Sequence, residues 1–155
     1  MKISLINKAD AEQIAKLAVC LTHGIIDRTG IEHFEVDVPL AISLCNNYVE
    51  NGQYSVIAAY ENNKIIGFGA LCESHSIYAE GSFGIIQEFY VLPKYRSQEV
   101  GKSLINEIVS FAKEKSWKRL ELCTPPVPEF DRTVEFYTDN GFEVTGGYKM
   151  KRVLS

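Results

Sequence analysis

The segment Phe89-Tyr90-Val91-Leu92-Pro93-Lys94-Tyr95-Arg96-Ser97-Gln98-Glu99-Val100-Gly101-Lys102-Ser103-Leu104 holds the residue types and spacing best suited to chemistry in this chain. It reads as a strand ended by proline, a tight basic loop and the start of a helix. A helix N-terminus presents unpaired N–H groups and the positive end of the helix dipole, so such a loop can hold a pyrophosphate. Gly101 lets the backbone approach an anion closely, and Arg96 and Lys102 add positive charge. The plain alternative is that Gly101 only eases the chain into the helix while both cations are solvated; the loop alone leaves both readings open. Gly101-Lys102-Ser103 also ends like the nucleotide loop G-x-x-x-x-G-K-[ST]. The first glycine of that motif would fall at position 96, which is Arg96, and the surrounding strands alternate as an antiparallel sheet does. Both features argue against an NTPase.

The elements that must position this loop follow from periodicity. A strand over Lys2 to Ile6 leads to Asp10 and Gln13, a capping-box-like helix start, and Ile14, Leu17, Ala18 and Leu21 form one stripe expected to stop at Gly24. Asp37 and Pro39 open a second helix through Leu40, Ala41, Leu44, Cys45 and Tyr48 to Asn51-Gly52. The period then changes. Tyr54 to Tyr60 and Lys64 to Ser74 read as strands joined at Asn62-Asn63, and after a turn over Ser76 to Gly81 a third strand runs from Phe83 to Leu92. An amphipathic helix from Gly101 to about Lys115, a strand at Leu120 and Leu122, and a short helix capped by Asp131 and stopped at Asn140-Gly141 come next. A final pair, Phe142 to Val144 and Tyr148 to Leu154, is expected to close the sheet as a hairpin. The pattern is a single α+β domain over residues 1–155, with a mixed, mostly antiparallel sheet and about four helices packed on both faces.

With 155 residues, 46% hydrophobic and 23% charged, the chain has the composition of a globular domain. No apolar run approaches the roughly 20 residues of a membrane span, and the amphipathic start at Met1-Lys2-Ile3-Ser4-Leu5 lacks a signal-peptide core, so a cytoplasmic protein without a membrane partner is expected. Cys20, Cys45, Cys72 and Cys123 are dispersed through apolar stretches without a C-x-x-C pair, which reads as buried free thiols and no metal. A net charge of −4 argues against a nucleic-acid partner.

On these residues the chain resembles the GNAT superfamily of N-acetyltransferases. Phe89-Tyr90-Val91, Pro93, Arg96 and Gly101 fit its motif A, a strand followed by R/Q-x-x-G-x-G/A at a helix start. Glu99 departs from it, because the family places glycine there. Thr133-Val134-Glu135-Phe136-Tyr137-Thr138-Asp139-Asn140-Gly141-Phe142 resembles motif B, with F-Y-x-x-x-G-F matched in spacing. Phe130 occupies a position where many relatives carry asparagine, so that polar contact does not transfer. The order of elements agrees with the family along almost the whole chain.

The resemblance implies acetyl-CoA as co-substrate, with its phosphates at Arg96, Ser97, Gln98, Glu99, Val100, Gly101, Lys102 and Ser103, and its pantetheine arm along Phe89, Tyr90 and Val91. Transfer to an amine needs a neutral nucleophile, and an amine of pKa about 10 is protonated at neutral pH, so a general base is useful. Glu88, expected by alternation to face the same side as Ile86 and Tyr90, matches a position where relatives often carry an acid. An ordinary cross-strand ion pair is its alternative role. Tyr137 matches the family tyrosine that protonates the departing thiolate; its alternative, like that of Phe136, is core. The acceptor is expected between the first two helices, in Gly24 to Val38, with help from the turn near Ser76 to Gly81. Asp27, Glu32, Glu35 and Asp37 outnumber Arg28, which reads either as selection for a cationic amine of a small molecule or a protein or as a solvated acidic loop. His23, His33 and His75 form no catalytic constellation. Dimers are common in the family, so the resemblance also admits a homodimer. The competing reading is a GNAT-fold module that holds CoA with little turnover.

Overall fold

The computed structural model describes residues 1–31 and 37–154, in two compact units, Met1–Leu122 and Cys123–Ser155. The first unit carries β1 (Lys2–Leu5), α1 (Ala11–Thr29), α2 (Val38–Glu50), β2 (Ser55–Glu61), β3 (Lys64–Ser76), β4 (Gly81–Val91), α3 (Val100–Glu114) and β5 (Leu120–Leu122). The second carries α4 (Asp131–Asp139). The strands lie in sequence order β1-β2-β3-β4-β5, antiparallel except for the parallel pair β4–β5. The expected α+β class, with a mostly antiparallel sheet and four helices, is what forms.

Helices of the first unit cover both faces of this sheet. Val56, Ala58, Phe68 and Ala70 face α1 and α2, packing with Ile14, Ala15, Leu17 and Cys45. Gly67 and Gly69 lie between them in the alternation and face α3, where an added Cβ would meet Leu104 and Ile108. Leu104, Ile105 and Ile108 of α3 are fully buried.

Local chemistry accounts for several boundaries. Asp37 caps α2 by accepting from the Leu40 N–H at 3.0 Å, and Pro39 lies in the first turn. Asn62 and Asn63 adopt φ of 50° and 64°, the left-handed pair that a two-residue hairpin requires. α4 ends in a Schellman motif: the Phe142 N–H donates to Tyr137 O at 3.0 Å and the Gly141 N–H to Thr138 O at 3.2 Å, with Gly141 at φ 93°.

Four expectations change. α1 does not stop at Gly24 but continues to Thr29, where Gly30 at φ 69° makes the left-handed cap; a mid-helix glycine costs only about 1 kcal/mol. Asp10 caps α1 without a side-chain bond to it and instead accepts from the Tyr60 hydroxyl at 2.8 Å, which pushes that phenol up to about 12, burial first and the bond second. Phe130, not Asp131, is the residue preceding α4. The terminal hairpin does not form: Gly146 and Gly147 turn at positive φ, but residues 142–154 carry no strand, and Val144, Tyr148, Met150 and Leu154 are exposed. Alternation records only that a segment can be a strand; a ladder also needs a partner.

All four cysteines are free thiols, but only Cys45 is buried, while Cys20 and Cys123 are exposed. No described helix is long and apolar enough to cross a membrane, and no metal-holding cluster occurs among the described residues.

Candidate active site

β4 is the axis of the site. It pairs with β5 only through Gly84↔Leu120, Ile85↔Glu121 and Ile86↔Leu122, and then runs on to Val91 while β5 ends. The edge of β4 from Gln87 to Val91 therefore faces away from any β5 ladder, and the strand leads directly to the basic loop. Phe89, Tyr90 and Val91 all lie on this open stretch.

Beyond Val91 the chain makes a 3₁₀ turn (Pro93–Tyr95), and Ser97 and Glu99 adopt φ of 63° and 67°. Alternating left-handed residues before a helix turn successive N–H groups inward, forming a concavity suited to an anion. The first main-chain bond of α3 runs from the Ser103 N–H to Glu99 O at 3.0 Å, so the N–H groups of Val100, Gly101 and Lys102 precede the ladder. Glu99 thus adopts the left-handed conformation that glycine would supply without strain, at a cost of about 1–2 kcal/mol. Its carboxylate lies 3.9 Å from Lys102 Nζ, an exposed pair that partly cancels the charge of the loop. Arg96 is exposed but tethered: its Nε donates to Val91 O at 2.9 Å and its guanidinium lies 5.4 Å from the centre of the Tyr90 ring. Gln98 Nε2 donates to Lys94 O at 2.9 Å, securing the turn.

Glu88 sits on the other side of a register break. Ala70 pairs with Glu88 and Leu71 with Ile86, which leaves Gln87 as the extra residue of a β-bulge. The bulge breaks the alternation. Glu88 shares the α1/α2 face with Tyr90 and Ala70, whereas Ile86 pairs with Leu71 and faces the other way, contrary to the alternation expected for Ile86, Glu88 and Tyr90. Burial raises the proton affinity of Glu88 above that of an ordinary carboxylate, and the hydroxyl of Tyr54, donating to Oε1 at 3.2 Å, opposes that rise. Oε2 is buried and accepts no bond from the described groups. Burial, then the Glu88 charge, raises the Cys45 thiol, and the same two causes in the same order raise the Tyr54 phenol far above its ordinary value.

Sequence reasoning missed Tyr54. It lies 34 residues from Glu88, just before β2, and no local pattern links the two. The bulge also aims Gln87 sideways, where its Nε2 lies 3.2 Å from Cys72 Sγ. Tyr48, Gln53, Tyr54, Cys72, Glu73 and Gln87 line an open cleft of about 460 Å³ beside it. A larger hollow of about 570 Å³, lined by Lys2, Asp10, Tyr60 and Asn62 among others, gathers none of the candidate residues.

The acidic segment expected to select the acceptor dissolves in part. Asp27 and Arg28 belong to α1, Asp37 is committed to its cap, and Glu32, His33 and Glu35 lie outside the described residues. His75 is exposed, its Nδ1 2.9 Å from Ser82 Oγ.

Tyr137 belongs to the second unit. The residue is buried, and within this unit its ring lies edge-on to Phe136 at 5.2 Å and to Phe142 at 5.5 Å, the second contact being the apolar clasp of the Schellman turn. Burial raises its phenol well above the ordinary tyrosine range, so it is protonated at neutral pH.

Solved structures of similar fold include a predicted acetyltransferase with acetyl-CoA from Clostridium acetobutylicum, 20% identical, covering 97% of this chain and 95% of that one with a TM-score of 0.78. A ribosomal-protein-alanine N-acetyltransferase from Brucella melitensis biovar Abortus 2308 is 19% identical, with 99% and 100% covered and a TM-score of 0.73. An aminoglycoside N-acetyltransferase in complex with CoA is 18% identical, with 99% and 100% covered and a TM-score of 0.75. No curated protein sequence matches. The model of the acetyltransferase (GNAT) domain matches residues 52–144, which take in Tyr54, just before β2, the basic loop and the Tyr137 helix, and the chain belongs to that family.

Proposed function

We propose that this chain moves the acetyl group of acetyl-CoA to a primary amine of a small molecule or protein, by direct attack in a ternary complex. The observation that carries this reading is the departure of β4 from β5 after Ile86, which leaves Gln87 to Val91 without that partner just before the basic loop that leads into α3. The backbone around Val91 on that edge, preceded by Phe89 and Tyr90, suits a pantetheine arm, and the N–H groups of the α3 start, with Arg96 and Lys102, suit its pyrophosphate. A backbone N–H on the same edge would polarise the thioester carbonyl. Glu88, with its raised proton affinity, takes a proton from the amine, and Tyr137 returns one to the departing sulfur. The relatives solved with acetyl-CoA or CoA support the cofactor, and one relative's description names an aminoglycoside acceptor.

Thiol release from acetyl-CoA over a panel of primary amines tests the reading. Turnover with at least one amine, together with a melting temperature that rises with acetyl-CoA concentration, is expected. No thermal shift at saturating acetyl-CoA would sink it. Tyr137→Phe should keep acetyl-CoA affinity and lower kcat by roughly 10- to 10³-fold, with no rescue by more acceptor; an unchanged kcat would leave Tyr137 as core. A second reading, a CoA-holding module of weak turnover, is favoured by the Glu99 carboxylate at the loop. A thermal shift without thiol release would select it.

A further inference from the structure

The Tyr54–Glu88 pair has an asymmetry that the assignment of Glu88 alone leaves unexplained. Glu88 is the stronger base, yet its side chain lies behind the cleft and does not line it; Tyr54 lines the cleft, and its hydroxyl reaches back to Glu88 Oε1 at 3.2 Å. An amine in the cleft therefore meets the phenol oxygen before it meets the carboxylate. The groups around the amine's position favour a cation. Glu73 and Glu88 are the acidic side chains next to it, and the rings of Tyr48 and Tyr54, 5.0 Å apart, form an aromatic wall suited to an ammonium group. The bulge at Gln87 places this cleft beside the stretch of β4 whose other edge is open.

We propose that Tyr54 relays a proton from a primary ammonium bound in this cleft to Glu88, an inference that rests on the acetyl-transfer reading above. In the relay the N–H bond of the ammonium breaks as its proton joins the Tyr54 oxygen, and in the same event the original Tyr54 O–H bond breaks as that proton joins Glu88 Oε1. The phenol begins and ends neutral, the amine becomes the neutral nucleophile, and the carboxylate becomes the acid. The second amine proton, released as the amide forms, replaces the one that Tyr137 gives to sulfur, and the proton on Glu88 returns through Tyr54 to solvent water once the amide product has left the cleft. A neutral relay suits this tyrosine, because burial and the adjacent carboxylate forbid the phenolate across the working pH range. The titratable groups facing the pair are Cys45 from α2, Tyr48 and Cys72; burial and the Glu88 charge hold the Cys45 thiol protonated, so Glu88 is the resting acceptor.

The relay is tested by measuring kcat for Tyr54→Phe, Glu88→Gln and the double variant with two probes at one near-neutral pH. The probes are phenethylamine, which is protonated there, and hydroxylamine, which is already neutral. Phenylalanine keeps the Tyr54 ring and glutamine keeps the Glu88 shape, and a melting curve of each variant confirms folding. The relay requires each single variant to lose about 10²-fold or more with phenethylamine. The double variant should lose no more than the worse single one, and the loss with hydroxylamine should be smaller than the loss with phenethylamine in each variant. If Glu88→Gln loses activity while Tyr54→Phe does not, the relay is overturned and Glu88 stands as a direct base. If neither variant loses activity, the assignment of Glu88 fails and the relay fails with it. Losses that multiply in the double variant would show two independent roles and would also overturn it.

Discussion

The two halves of β4 are built on opposite principles. From Gly84 to Ile86 the strand is closed on both edges, by β3 and β5, and is so tightly packed that a Cβ at Gly84 would clash with two ring carbons of Trp117 and lie 2.9 Å from Leu120. From Gln87 to Val91 the same strand loses its β5 partner, takes a bulge, carries a half-buried carboxylate with one oxygen unpaired among the described residues and hands its last carbonyl to Arg96. The closed half contributes stability through packing. The open half gives up the β5 ladder and buries a carboxylate, an arrangement that lowers local stability at the place where chemistry is proposed.

Substitutions can break this comparison, beginning with the closed half. Gly84→Ala should destabilise the fold by about 3 kcal/mol, the upper end of overpacking, because Trp117 and Leu120 must both move. Denaturant melts measure it; a loss under about 0.5 kcal/mol would mean that the corner is looser than its packing indicates.

In the open half the effects should fall on ligand binding more than on folding. Arg96→Ala should weaken acetyl-CoA binding by roughly tenfold, the scale of one charge-assisted contact. Calorimetric titration checks this, and unchanged affinity would remove Arg96 from the cradle.

Glu88→Gln sharpens the contrast through pH. An unfolded glutamate ionises near 4.5, while burial raises Glu88 in the fold. Between those two values the folded chain holds a proton that the unfolded chain has lost, so the wild type loses stability as pH rises through that window. Glutamine carries no such penalty. The variant should match the wild type in acid and melt higher at neutral pH; a lower neutral melting temperature would mean that the ionised carboxylate is stabilising.

The smallest effect is expected at Glu99→Gly. Relief of the left-handed strain is largely offset by glycine's greater chain entropy, which leaves a change within about 1 kcal/mol. Acetyl-CoA binding should tighten with loss of the negative charge, and weaker binding would show that Glu99 contributes favourably to the loop.

Much of this architecture could be read from residues close together in the chain. Asp37 and Pro39 start α2, Asn62-Asn63 turns a hairpin, and Phe136, Tyr137, Gly141 and Phe142 form one helix stop, each by contacts within about one turn. The strand, loop and helix around Arg96 were legible for the same reason. Tertiary pairing decided the rest. Which side of the strand Ile86 and Glu88 take depends on a bulge defined only against β3, the partner Tyr54 lies 34 residues away just before β2, and Arg96, though exposed, is tied back to Val91 O. The alternating C-terminal residues could specify the capacity to be a strand but not its use. Caps and turns are satisfied by their own neighbours, whereas a register, a bulge or a buried carboxylate acquires its energy only from the strand or helix packed against it.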